Sequence, residues 1–332
     1  MLSMNTRNSN HELDAQAFAP GLQPLQNIQG PFDWWRAIVR VLGSIVAVRD
    51  GRAMYVLLAA FAGAGLAFAT AQASMARGEL PWAVGQGAAA LFIVFYGSNA
   101  AGLLLMDRAL GRPPREVADA VLDALGVGHR VLITLAVVGL AAAALVGALA
   151  GLFWLCRMPM AGPWLYGLVV PLTVVVVGLA MLAGGAVVGP LTGPTVWAGA
   201  SSWQSVRQVL RFLRLHVLHA AVMMVGLSLV TGLVGAGTGF VVMAGGRLMA
   251  EASVWLTGVD VPPEVLMVGL FGGGLHNVNA QVVPPEAVGY IRAAAIGGGV
   301  VFSLALVMPT LVYLRGVCEI YLALRDRQDP QG

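Results

Sequence analysis

Six long stretches of this chain, at residues 53–75, 83–106, 131–156, 164–189, 217–245 and 293–314, contain no Asp, Glu, Lys or Arg. Each has at least the roughly 20 apolar residues that a helix needs to cross the hydrocarbon core of a bilayer. Lipid offers the backbone no hydrogen-bond partner, so such stretches must satisfy their own amides as helices. Composition closes the alternative of a water-soluble core. Of 332 residues, 58% are hydrophobic and only 11% charged, with a mean hydropathy of +0.80; soluble domains carry about 25% charged residues. The expected fold is an all-α polytopic transmembrane helix bundle of six spans, forming one domain over residues 32–327.

The segments between spans carry the organisation. Residues 184–218 read GGAVVGPLTGPTVWAGASSWQSVRQVLRFLRLHVL. This stretch is expected to leave span four through a Gly-Pro-rich turn, build a short amphipathic helix, and re-enter span five without a break. Arg207, Arg211 and Arg214 follow i, i+4, i+7, with Trp203, Val206, Leu210 and Leu213 on the adjoining apolar face. Arg heads reach lipid phosphates while such a face sinks into the interface, so these residues are candidate lipid-interface positions. The start of the chain repeats the device. Asp33 is a candidate N-cap for a helix carrying Trp34, Trp35, Ile38, Leu42 and Ile45, with Arg36 and Arg40 on another face. Membrane-surface anchoring is the simpler role for this helix, and docking of a partner is the sharper one.

A third copy follows Pro113-Pro114, where Val117, Val121, Leu122 and Leu125 line one side of a helix and Glu116, Asp119 and Asp123 another. Three acids could bind a cation, but a solvated polar face asks for less. Shifts of 80 and then 88 residues superimpose Val41-Leu42, Val121-Leu122 and Val209-Leu210, and with them Ile45, Leu125 and Leu213. An elbow helix followed by two spans is thus repeated about three times, as duplication or as a shared physical constraint.

Residues 1–31 are polar and rich in Asn and Gln, and are expected to form a disordered cytoplasmic tail rather than a signal peptide. Residues 246–290 are expected to form an outer loop. Within it, Arg247 to Leu256 is amphipathic, the short apolar run at 263–275 is interfacial or re-entrant, and His276, Asn277, Asn279 and Gln281 form a polar rim. All 19 basic residues are Arg; 15 fall on the side of both termini and four (Arg77, Arg157, Arg247 and Arg292) on the other. Positive residues collect on the cytoplasmic side, so both termini are expected inside, in the cytoplasmic membrane. The net charge of +3 then needs no nucleic-acid partner.

Chemistry is sparse. An ionisable side chain within a span is the usual mark of ion-coupled transport, and the six stretches hold none beyond His219. His216 and His219 share a helix face, and Cys156, Met158 and Met160 form a soft-ligand run. Neither set has the partners of a recognised metal site, so no metal or cofactor is expected. Phosphate-loop, nucleophile-elbow and dinucleotide signatures are missing from the sequence. Small-residue pairs mark expected helix-packing positions: Gly147 with Gly151, Gly232 with Ala236, and Gly235 with Gly239. Cys156 and Cys318, at the ends of different spans, are expected on opposite sides and unpaired.

Pro190-x-x-x-Pro194-x-x-Trp197, the Ser202-Trp-Gln-Ser-Val206 elbow and the terminal Ile320-Tyr321-Leu322-Ala-Leu324-Arg325 together resemble the membrane domain attached to some bacterial membrane-bound glycerophosphodiester phosphodiesterases. The likeness covers mainly residues 184–225 and 310–327. The chain lacks their catalytic barrel and its acidic metal ligands, so the resemblance implies a membrane module without enzyme activity. A non-enzymatic scaffold, working with a membrane protein partner or as a homo-oligomer, is the expected role. A permease or channel subunit for a small or lipidic solute is the alternative.

Overall fold

A computed structural model describes residues 34–159, 161–257 and 287–328. The polar tail 1–31, the Asp33 cap, the 263–275 run and the His276 to Gln281 rim lie outside the described residues. So do Met160 and the side chains of Trp34 and Arg36. Among the described residues every regular element is helical. Helix α1 (Trp34–Leu42) runs through a 3-10 segment (Gly43–Arg49) into α2 (Gly51–Ala76), followed by α3 (Leu80–Ala109), α4 (Val117–Leu155) and α5 (Gly162–Ala183). A π-helical turn (Gly184–Val188) leads to α6 (Gly189–Trp197), α7 (Ser202–Leu215), α8 (Val217–Thr257), α9 (Ala287–Ala305) and α10 (Val307–Gln328). Six helical segments are long and apolar enough to cross a membrane.

Local chemistry sets the boundaries. Asp50 caps α2 by accepting a hydrogen bond from the Ala53 amide at 3.4 Å. Pro81 and Pro163 stand in the first turns of α3 and α5, where a missing N–H costs nothing. Ser201 and Gln204 form a reciprocal capping box at the start of α7. The reversal before it turns on Gly199, whose φ of +104° only glycine adopts without strain.

Three expectations are corrected by this geometry. Gly184 to Trp197 is not a turn. The helix continues through it, with the Gly189 amide bonded to the Gly184 carbonyl in a widened π turn just before Pro190, which has no amide to donate. The reversal falls later, between Ala198 and Ser201. Residues 246–257 do not begin an outer loop either, because α8 runs unbroken for 41 residues, about 60 Å of helix. The last span extends beyond Leu314. A break at Leu306 separates α9 from α10, which continues past Arg315 and Glu319.

The three elbows also join their spans differently. The first has a 3-10 segment and the Asp50 cap between helix and span, the second none, since α4 is continuous, and the third a bend at His216. The repeat register holds at one position: Ser44, Ala124 and Phe212, related by shifts of 80 and 88, are all completely buried. At Val41, Val121 and Val209 it fails, because α4 turns Ala120 and Ala124 inward and leaves Val121 exposed.

The packed core gathers at one end of the bundle. It joins the start of α2, the end of α3, the start of α4, α6, α7, the start of α8 and all of α10. Toward the other end α4 and α5 stand nearly free of the rest: 11% and 6% of their most apolar windows are buried, against 44% and 50% in α2 and α3.

The close helix approaches fall at glycines other than those expected. A Cβ on Gly102 would come 2.5 Å from the Trp197 ring, one on Gly65 would meet Ser303, one on Gly128 Tyr96, and one on Gly316 Leu227. Gly147, Gly151, Gly232 and Gly239 have no atom within 4 Å of that position, and Gly235 has only Pro309 at 3.8 Å. Among the described residues the expected small-residue faces are therefore open.

Introducing a side chain at a closed position should cost at least the 1–3 kcal/mol typical of overpacking. Gly102→Val and Gly316→Val are expected to lower the unfolding temperature in detergent, while Gly147→Val leaves it unchanged. Fluorescence-detected thermal unfolding of the three variants checks this.

Candidate functional site at the arginine-rich end

The polar groups of the core are organised around the dipeptide Asp107-Arg108, at the last turn of α3. Asp107 and Asp50 are both almost completely buried, at 4% and 3% exposure. A carboxylate in such a place is tolerable only when paired and hydrogen-bonded. Arg108 reaches across to Asp50 at 3.0 Å, tying the end of α3 to the cap of α2. Arg115 closes back on Asp107 with two parallel bonds, Nε at 2.7 Å and Nη2 at 2.9 Å, and gives Nη1 to Asp123 at 2.7 Å. Its hydrogen bonds to Asp107 hold its already high pKa higher still, so the guanidinium stays charged. Arg52 donates to the carbonyls of Pro114 and Arg115 at 3.0 and 3.1 Å. The α3–α4 connection is thereby clamped from both sides. Glu116, Asp119 and Asp123 are exposed, as a solvated face requires, and Asp123 also joins this clamp.

Two further locks bring in the later helices. Asn99 of α3 donates to its own helix at Phe95 and accepts from the Trp197 indole N–H at 2.9 Å, fixing α6 against α3. Gly102 leaves the space that the Trp197 ring occupies. On α10, Arg315 pairs with Glu319 at 2.6 Å and donates to the Leu105 carbonyl at 3.2 Å. Tyr321 stands edge-on to Phe212, with ring centroids 6.0 Å apart, and accepts from Gln208 at 3.3 Å. This joins α10 to α7. Tyr321 and Arg325, in the terminal Ile320–Arg325 segment, are thus core and rim of the same cluster.

The expected interface residues lie on the rim. Trp35 is exposed, and Arg40 of α1 stands 4.0 Å from Asp326 of α10. On α7 the apolar face is divided. Val206, Val209 and Phe212 are buried in the core and Leu213 packs against it, while Trp203 and Leu210 stay exposed beside Arg207, Arg211 and Arg214. The Arg207 guanidinium lies over the Trp203 ring at 5.4 Å from its centre.

The expected metal candidates are differently placed. His216 and His219 meet edge-on, with ring centroids 5.9 Å apart. The Cys156 thiol is directed to the Leu152 carbonyl at 3.3 Å, with Met158 exposed. Both cysteines are free. Among the described residues no three His, Cys, Asp or Glu side chains gather as metal ligands would.

Chemically, this cluster is a set of charge-assisted locks rather than a nucleophile with a base. Sequence reading missed Asp50, Asp107, Arg115, Asn99 and Trp197. A signal was present: an Asp-Arg pair closing an apolar span, with a third charge eight residues on, is costly unless its members pair with one another.

Removing one partner of a buried pair leaves the other uncompensated, at roughly 3 kcal/mol. Asp107→Asn and Arg115→Gln are each expected to destabilise by about that much, and the double variant by clearly less than the sum. A double-mutant cycle on thermal unfolding in detergent measures the coupling. No protein-family model, curated protein or solved structure matches this chain.

Proposed function

We propose that the chain is a non-enzymatic scaffold or assembly partner in the cytoplasmic membrane, a module of the kind attached to the phosphodiesterases it resembles. Both termini lie inside. The observation that carries this reading is the contrast between the locked arginine-rich end and the nearly unpartnered α4–α5 pair. Without a hydrophobic driving force in lipid, helices associate through close van der Waals contact at small residues. Gly147 and Gly151 offer such a surface with no other described residue against it. Another membrane protein or a second copy would meet it.

One observation favours the alternative, a permease for a lipidic solute. A crevice of about 360 Å³ opens between α8 and α9, lined by Gly237, Thr238, Val241, Val242, Val301 and Leu304. Its walls are apolar but for Thr238, which suits an acyl chain and not an ion.

Gly147→Cys in a Cys156→Ala background is expected to cross-link to another chain in native membranes, whereas Leu66→Cys on exposed α2 does not. Purified protein in vesicles is expected to pass neither small solutes nor labelled lipid, and flux above empty vesicles would sink the scaffold. The orientation has its own check. Ala200→Cys should resist an impermeant maleimide added outside intact cells, and Glu79→Cys should react.

A further inference from the structure

Some arginines of this protein are paired with acids. Others, Arg49, Arg112, Arg130 and Arg157 among them, are exposed with no ion pair among the described residues, and only on α7 do three of these stand on one short helix. Arg108, Arg115 and Arg315 spend their charge on the acids of the core, and Arg40 and Arg325 face Asp326 at the rim. Arg207, Arg211 and Arg214 of α7 are exposed and form no ion pair among the described residues. Three like charges lie within eight residues, a strip about 10 Å long. Like charges so close repel one another and invite an anion from outside the chain.

The surroundings say what kind of anion. Exposed Trp203 and Leu210 border the strip on the same helix, and exposed Leu215 and Leu218 continue it into the apolar helix α8. A free anion in water has no use for these apolar neighbours, whereas a lipid satisfies both halves. Its phosphate meets the guanidinium groups, and its upper chain meets the Trp203 ring and Leu210. The helix is also held rigidly enough to present them. Its opposite face is buried through Val206, Val209 and Phe212, its start is fixed by the Ser201–Gln204 box, and Gln208 is bonded to Tyr321.

We propose that the Trp203–Arg214 face of α7 is a binding site for the headgroups of anionic phospholipids, selecting them over zwitterionic ones. Selection follows from charge. A zwitterionic headgroup brings its own cation to the strip, and an anionic one brings none. Each arginine near such a surface contributes about fivefold in affinity, so the three together contribute on the order of 100-fold.

The test uses full-length protein in nanodiscs of mixed phosphatidylglycerol and phosphatidylcholine in which one lipid or the other is brominated, with Trp203→Phe identifying the Trp203 share of the quenching. Trp203 is expected to be quenched more strongly by the glycerol lipid, and the difference to shrink as salt rises from about 0.1 M to about 1 M. The triple variant Arg207→Gln, Arg211→Gln, Arg214→Gln is expected to lose the preference, and a second triple, Arg49→Gln, Arg112→Gln, Arg130→Gln, to keep it. Equal quenching by the two lipids in the unaltered protein overturns the proposal, whether or not the variants can be purified. So does an equal loss in both triples, which would make the effect one of net charge. Abolition of the preference by excess inorganic phosphate, or by RNA at concentrations that leave vesicle binding elsewhere intact, would assign the strip to a soluble anion and also overturn it.

Discussion

Charge has no place in hydrocarbon, and that one constraint arranges this molecule. The six apolar stretches leave the charged residues only the segments that flank them, and most of the arginines gather on one side. There the chain also has its acids, and the two are combined rather than left to solvent. Asp50, Asp107, Asp123 and Glu319 are each held by an arginine from within the cluster. Because the partners come from different elements, α2 with α3, and the α3–α4 connection with both of its flanking helices, the pairs fix how the helices meet. A buried ion pair contributes little net stability against an apolar replacement. Its consequence here is geometric: a helix that rotated or slid would strand a charge in the core.

The packing follows from the same arrangement. Apolar side chains crowd where the elbows and helix ends are drawn together, around Leu104, Met106, Phe212, Leu227 and Ile320. Further along, nothing in a bilayer drives apolar helices together, since lipid tails receive them as readily as another helix does. Only pairs with matching small residues remain close, such as Gly65 against Gly299 and Ser303, or Gly97 against Ala60. The α4–α5 pair has small residues without a matching neighbour among the described residues. Those residues are therefore tightly packed at one end of the bundle, while α4 and α5 are largely uncovered toward the other.

The elbow helices mediate between these two regions, and α7 shows how. One side of it is core, through Phe212 and Val209; one side is a cationic strip, through Arg207, Arg211 and Arg214; and Trp203 and Leu210 lie between. A two-way division into apolar and polar faces does not describe such a helix. Tertiary packing takes part of the apolar face inward and leaves the remainder to the membrane boundary.

Sequence alone determined that the chain is a bundle of six apolar helices joined by amphipathic elbows, because length and the exclusion of charge are properties of each segment by itself. It also marked Trp203 and the three arginines of α7, whose spacing is local. Only the tertiary structure decided which glycines admit a neighbour. Gly102 and Gly316 close on Trp197 and Leu227, and Gly147 and Gly151 close on no other described residue, although all four read alike in the sequence. It alone decided that Asp107 belongs to Arg115 and Asp50 to Arg108, and that Trp197 bonds Asn99 from 98 residues away. The reason is the same in each case. A helix segment carries its own periodicity, but the partner of a buried charge or the occupant of a missing side chain's space is supplied by a different segment.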